Sequence, residues 1–261
     1  MKYGFIGCGN MGGAIARALS FHTRDILLAD HDTKKAAALA DALGCRVGTN
    51  EEAAKCERLY LAVKPQMMRA MLADIAPLLQ KHRPLLITMA AGLTMAQIEE
   101  MAGGNLPVIR IMPNTPAAIG KGMILYCHNA LVDDATVADF VKDLSPAGII
   151  EPLEERLIDA GSAVSGCGPA FMYQFIEALS DGGVACGLPR DKAIRLAAAT
   201  MVGAGELVLQ SGTHPAALKD AVCSPGGSTI MGVKALEEGG LRAAAINAVT
   251  AAFEKNKELG K

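Results

Sequence analysis

From residue 1 to about 152, short apolar runs alternate with stretches of helical periodicity. The runs fall at 2–7 (KYGFIG), 26–30 (ILLAD), 58–63 (RLYLAV), 84–90 (PLLITMA), 107–112 (PVIRIM), 123–127 (MILYC) and 148–152 (GIIEP). Most are apolar at consecutive positions, as strands buried on both faces are, not at every second position. Between them lie helix candidates at 32–44, 66–80 and 133–145. A strand–helix rhythm with doubly buried strands predicts an α/β domain whose sheet is mostly parallel and covered on both sides.

Past residue 153 the strand signal stops and the rest is predicted to be all-α, which divides the chain into 1–153 and 154–261. Pro169 opens one helix, with Phe171, Phe175, Ala178 and Leu179 at helical spacing, and Pro189 opens a second, with Ile194, Ala197, Met201 and Val208 on one face. A shorter helix is predicted at 214–222, and two more at 229–238 and 241–259, parted by Gly239 and Gly240. These helices are rich in Ala and Gly and the chain has no Trp, so the second half has little bulk to bury by itself. It is expected to find its missing core in another copy of the chain, as a homo-oligomer.

Composition narrows the partners. The chain has 261 residues, 51% hydrophobic, and a formal net charge of −2, which gives no electrostatic footprint for nucleic acid or an anionic membrane. Neither partner is expected; a small-molecule substrate is. No run approaches the ~18 apolar residues of a membrane span, and glycines interrupt the opening segment where a signal peptide would be continuous. The seven cysteines form no CxxC pair and no Cys/His cluster of metal-binding spacing, so no metal is expected and a reducing, cytoplasmic setting is.

The first strand runs straight into Gly7-Cys8-Gly9-Asn10-Met11-Gly12, a GxGxxG followed by a helix. The first glycine permits the tight turn, the second lets a pyrophosphate approach backbone, and the third lets helix pack on strand. This setting predicts a dinucleotide-binding, Rossmann-type domain. Asp30 closes the second strand where an acid accepts from an adenine ribose 2′-hydroxyl, which favours NAD. His31, Lys34 and Lys35 follow at once and would meet the 2′-phosphate of NADP if Asp30 turns aside, although the lysines also fit an ordinary solvated face. Further strand ends, AVKP (62–65, with Val63) and AAG (90–92), offer small residues where a cofactor lies along the sheet edge.

The segments GFIGCGNMGGAI, AVKP, MPNTPAAIGKG (112–122), SGCGPAF (165–171), DGGVACGLPRDKA (181–193) and LKDAVCSPGGSTIMGVKALE (218–237) together resemble the pyrroline-5-carboxylate reductase family. The likeness runs the whole length, and its last segment is the most specific. The resemblance implies reduction of a cyclic imine, 1-pyrroline-5-carboxylate, to L-proline by NADPH or NADH, the final step of proline synthesis. It also implies dimers or assemblies of dimers through the helical half. By position it puts cofactor contacts at Ile6, Gly7, Gly9, Asn10, Met11, Asn50, Ala62, Lys64, Pro65, Ala91 and Gly92, to which the motif adds Cys8 and Gly12. It puts the substrate loop at Ser224, Gly226, Gly227, Ser228 and Thr229, with Glu155 as a neighbour. Some members carry Asn where this chain has Ala221, so a side-chain contact made there elsewhere is absent.

The loop has a physical logic of its own. Pro225 and two glycines stop one helix and bare the N–H groups of the next, a ready site for a carboxylate. Thr229 is the catalytic candidate, its hydroxyl set to hydrogen-bond the imine nitrogen, which must end protonated. Ser228 reads equally as an ordinary N-cap worth about 1 kcal/mol. Lys64 competes as proton donor, although its place in AVKP points to the cofactor side. His128 and His214 read as surface or capping residues. Two other readings are a β-hydroxyacid-type dehydrogenase, whose catalytic Lys is missing from SGCGPAFMYQF, and a non-catalytic dinucleotide sensor, which has no need of the 224–229 loop.

Overall fold

A computed structural model describes residues 1–259. In chain order the first part runs β1 (Tyr3–Ile6), α1 (Asn10–Leu19), β2 (Ile26–Ala29), α2 (Thr33–Leu43), β3 (Arg46–Val47), α3 (Asn50–Ala53), β4 (Arg58–Leu61), α4 (Pro65–His82), β5 (Leu85–Thr88), α5 (Met95–Met101), β6 (Val108–Met112), β7 (Gly122–His128), α6 (Asp134–Leu144), β8 (Gly148–Pro152) and α7 (Ile158–Ser165). The eight strands form one sheet in the order β3-β2-β1-β4-β5-β6-β7-β8. Every pair is parallel except β6–β7.

Consecutive apolar residues are explained by the two cores on either side of this sheet. Phe5, Tyr60 and Ile87 point into one, beside Ile15 and Phe140. Their neighbours Ile6, Leu59, Leu61 and Leu86 point into the other, beside Leu72 and Ile75. A strand between two cores needs an apolar residue at every position. Phe5 and Tyr60 stack across the β1–β4 pair with centroids 4.4 Å apart.

Helix ends follow local chemistry. Asp32 caps α2 by accepting from the N–H groups of Lys34 and Lys35, and Gly44 ends it with φ of 65°. Thr49 with Glu52, and Thr94 with Gln97, close capping boxes at α3 and α5. β3, α3, α5 and α7 are additions to the elements anticipated from the sequence. β3 is a two-residue, exposed edge strand and α3 is a single turn, both too short to show periodicity.

The chain divides into two compact units, Met1–Cys167 with the end of the chain from Ala252, and Gly168–Ala251. The compact units part after Cys167, because α7 is bound to the sheet. Arg110 of β6 donates to Asp159 at 2.9 Å, and Asn114 ties the Met123 N–H and the Ser165 carbonyl together, both at 2.9 Å. Asn256 donates to the Asp159 carbonyl at 3.1 Å, which returns the last helix to this unit.

The second unit is built from α8 (Gly168–Ala185), α9 (Arg190–Ser211), α10 (Pro215–Val222), α11 (Ser228–Glu238) and the first part of α12 (Leu241–Leu259). Its buried residues are Ser180, Ala193 and Ala197, whereas Tyr173, Leu196, Val202, Leu209, Val222, Met231 and Ile246 are all more than half exposed. α9 is long and apolar enough, by length and composition, to cross a membrane.

At the amino ends of β1 and β4, the Arg58 guanidinium bonds Asp143 and reaches Asp139 at 3.3 Å, and the Tyr3 hydroxyl donates to Asp143 at 2.6 Å. Burial, followed by the Asp143 carboxylate, pushes the Tyr3 phenol well above its usual pKa. This network fastens α6 to the amino ends of the interior strands β1 and β4. Arg58→Met removes the buried partner of the Asp143 carboxylate, 14% exposed, leaving it the Tyr3 hydroxyl and Lys2 at 4.0 Å, and is expected to cost about 3 kcal/mol. Arg190→Met, whose partner Asp181 is 61% exposed, is expected to cost under about 1 kcal/mol; urea denaturation of the two variants checks the contrast.

Candidate functional site

β1 lies between β2 and β4, the point where the order of strands reverses and a crevice opens beyond their carboxyl ends. The glycine turn occupies that point. Gly7 has φ of 107°, and a Cβ on it would lie 2.6 Å from the Ala62 carbonyl. A Cβ on Gly12 would lie 2.2 Å from the Gly7 oxygen and 2.8 Å from the Ala62 methyl. Gly9 differs: nothing stands within 4 Å of where its Cβ would be. It is the N-cap of α1 and brings no side chain to cap the first turn, so the N–H groups of Asn10, Met11 and Gly12 face outward unsatisfied by the helix. Two glycines therefore serve internal packing, and the middle one clears the approach to an anion-binding helix end.

The crevice is a cleft of about 390 Å³ lined by Ile6, Gly7, Asp30, His31, Asn50 and Val63, all anticipated from the sequence. Gln66, Met67, Ala70, Met71 and Asp74 of α4 complete it and were not anticipated. Their three-and-four spacing is visible in the sequence, but a helix stripe does not announce whether it faces a core or a ligand. Ala62 forms the floor under Gly7. Lys64 is exposed at the N-cap position of α4 and Pro65 is its first residue, leaving that helix end without a side-chain cap. Gly92, with φ of 76°, turns the chain after β5 beside the half-buried Ala91.

One residue of the turn, Cys8, is engaged inward, held by Asp30 at the end of β2. The Cys8 N–H donates to Asp30 Oδ2 at 2.6 Å and its thiol approaches the Ala29 carbonyl at 3.6 Å. Burial, then the Asp30 carboxylate, pushes the Cys8 thiol up to about 12. Asp30 Oδ1 accepts from the Asp32 N–H at 2.9 Å and pairs with His31 Nδ1 at 3.0 Å.

Glu155 stands among sheet-unit groups. Its Oε1 accepts from the Met95 N–H at 2.7 Å, capping the start of α5, and lies 3.5 Å from the buried Arg110 guanidinium.

In the helical unit, the Gly227 N–H donates to the Ser224 carbonyl at 3.0 Å, and Gly226 adopts φ of 71°. α11 then begins with Ser228 as its first helical residue and Gly227 as its N-cap, with no side-chain cap. The reading of Ser228 as N-cap is thereby overturned: the loop leaves the N-terminus of α11 open. Ser224, Ser228 and Thr229 are exposed around it. His214 caps α10, accepting from the Ala216 N–H at 3.2 Å, and His128 contacts its neighbouring Asn129 carbonyl at 3.0 Å. Among the described residues no group of three or more His, Cys, Asp or Glu side chains is placed to hold a metal.

Comparison with known proteins assigns a different family model to each half of the chain. Residues 155–259 match the profile of the pyrroline-5-carboxylate reductase dimerisation domain, and residues 2–92 that of an NADP oxidoreductase, coenzyme F420-dependent, domain. Pyrroline-5-carboxylate reductase of Escherichia coli is 41% identical, covering 100% of this chain and 98% of that protein. The Synechocystis enzyme of the same name is 40% identical over 100% and 99%. The crystal structure of Plasmodium falciparum pyrroline carboxylate reductase with NADP bound superposes with a TM-score of 0.90 at 34% identity, covering 100% of this chain and 98% of that one. With an open glycine turn at the strand reversal, an uncapped helix after SPGG and full-length identity at this level, the chain belongs to the pyrroline-5-carboxylate reductase family.

Proposed function

We infer that this protein reduces 1-pyrroline-5-carboxylate to L-proline with NAD(P)H, NADPH being the first choice, as the last step of proline synthesis. The observation that carries the substrate assignment is the open N-terminus of α11. Gly227 as N-cap supplies no oxygen to the first turn, so the N–H groups of Ser228, Thr229 and Ile230 remain for an external acceptor. Partial positive charge at a helix N-terminus suits a carboxylate, and the small residues of the loop leave room for one.

When bound, the nicotinamide cofactor supplies the hydride that adds to the carbon of the C=N bond. The chain's own residues hold the reactants. Gly9, Asn10 and Met11 receive the pyrophosphate at the N-terminus of α1, and the cleft walled by Asn50, Val63, Met67 and Ala70 takes the adenosine end. Ser224, Gly226, Gly227 and Ser228 hold the substrate carboxylate. The Thr229 hydroxyl hydrogen-bonds the ring nitrogen, which carries a proton in the reactive iminium and keeps it in the product amine. Because an iminium is already electrophilic, orientation supplies much of the rate. Glu155 acts at one remove, holding Arg110 and the start of α5.

The helical unit supports assembly into dimers or larger groups of dimers. A bundle whose buried residues are Ser180, Ala193 and Ala197, with so many large apolar side chains exposed, resembles half of a core. The apolar surface of α9 is read the same way, as subunit interface. All seven cysteines are free, which accords with a cytoplasmic site of action.

Thr229→Val is expected to lower kcat/KM roughly 10- to 150-fold, the equivalent of about 1.5–3 kcal/mol of charged hydrogen bond, with little change in cofactor affinity; steady-state rates with pyrroline-5-carboxylate measure it. Gly9→Ala should leave the thermal midpoint within about 2 °C of the parent yet weaken NADPH binding, whereas Gly12→Ala forces backbone apart and should unfold the sheet unit more easily by over about 2 kcal/mol. Calorimetry and cofactor titration on the pair separate the two roles. Light scattering should give a particle of at least two chains, and Leu209→Asp with Val202→Asp should shift it toward the single chain; an unchanged mass would contradict the interface assignment.

A further inference from the structure

An acid at the end of β2 ordinarily reads the ribose 2′-hydroxyl and repels a 2′-phosphate. Asp30 is not free to do so. Its side chain is 6% exposed, and its oxygens accept from the Cys8 N–H at 2.6 Å, the Asp32 N–H at 2.9 Å and His31 Nδ1 at 3.0 Å. A carboxylate has about four acceptor positions, so three are occupied by the protein itself. Asp30 braces the glycine turn instead of reaching out of it.

The group left at the lip of the cleft is His31, 77% exposed and lining the same space as Ile6, Gly7 and Asn50. A carboxylate on Nδ1 selects the tautomer with its proton there and leaves Nε2 as the outward nitrogen. Nε2 of the neutral ring is an acceptor; on protonation it becomes a charged donor. A 2′-hydroxyl suits the first state and a 2′-phosphate the second.

We propose that His31, oriented by Asp30, is the specificity-determining residue at the ribose 2′ position, so that the preference for NADPH over NADH follows the charge of its ring. The charged groups around it are Asp30 at the end of β2, Asp32, Lys34 and Lys35 at the start of α2, Glu51 of α3 next to Asn50, and Asp74 of α4 across the cleft. Asp32 is itself occupied by the Lys34 and Lys35 N–H groups at 3.1 and 3.3 Å. Imidazole is the side chain whose ordinary pKa lies near neutrality, and the second pKa of a phosphate monoester, about 6, lies close to it. The proposal rests on the reading of this cleft as a dinucleotide site.

The test is the ratio of NADPH to NADH dissociation constants, measured by calorimetric titration of the full-length protein without substrate, from about pH 6 to about pH 8.5. Because a phosphate monoester itself gains charge at about pH 6, the readout is the parent's NADPH/NADH ratio divided by that of His31→Gln at each pH. That quotient should fall by about tenfold across the range. His31→Gln should start low and His31→Lys should stay high, each keeping only the pH response of the phosphate. A quotient that does not change with pH, or one that His31→Lys reproduces, overturns the assignment. Failure of the functional reading has a different signature: both cofactors bind with the expected ratios but pyrroline-5-carboxylate is not reduced.

Discussion

The cofactor end of the molecule depends on one close approach of backbone. Gly7, Gly12 and Ala62 come together where β1, α1 and the end of β4 converge, with no room for a side chain at either glycine. That contact lets α1 sit tightly on the sheet and aims its unsatisfied N–H groups along the crevice at the strand reversal. Gly9 has no protein atom within 4 Å of where its Cβ would be. The brace between Asp30 and the Cys8 N–H holds the same turn from the side of β2. Shape and electrostatics at this end are therefore one feature, built almost entirely from main chain.

The helical unit answers a different constraint. Its helices are rich in small residues, and they bury little within one chain. A short break, SPGGST, lies where one helix stops and the next starts without a cap. A helix end left open toward solvent has N–H groups in want of acceptors. Residues 155–259 match a dimerisation domain.

Charged residues inside the sheet unit work as fasteners. Arg110 gathers Asp159 and Glu155 and so binds the segment after β8 back onto β6. Arg58 and Tyr3 gather Asp143 and fasten α6. Glu155, which family resemblance puts beside the substrate loop, accepts from the Met95 N–H and lies 3.5 Å from Arg110.

Much was legible in the sequence. Seven of the strands, the glycine turn, the helical second half and the SPGGST break all follow from local pattern, because doubly buried strands need consecutive apolar residues and tight turns need glycine. Short elements were not legible: β3 and α3 are too brief for any period to emerge. The boundary at Cys167 was hidden as well, since the ties made by Asn114, Arg110 and Asn256 join residues far apart in the chain. So was the state of Asp30. Sequence places an acid at the end of β2, but whether its oxygens face a ribose or the Cys8 N–H is decided by how the glycine turn folds over it. Local pattern determined which residues could form strands, turns and helix ends; only the packed chain determined which polar groups were already spent on one another and which remained for a ligand.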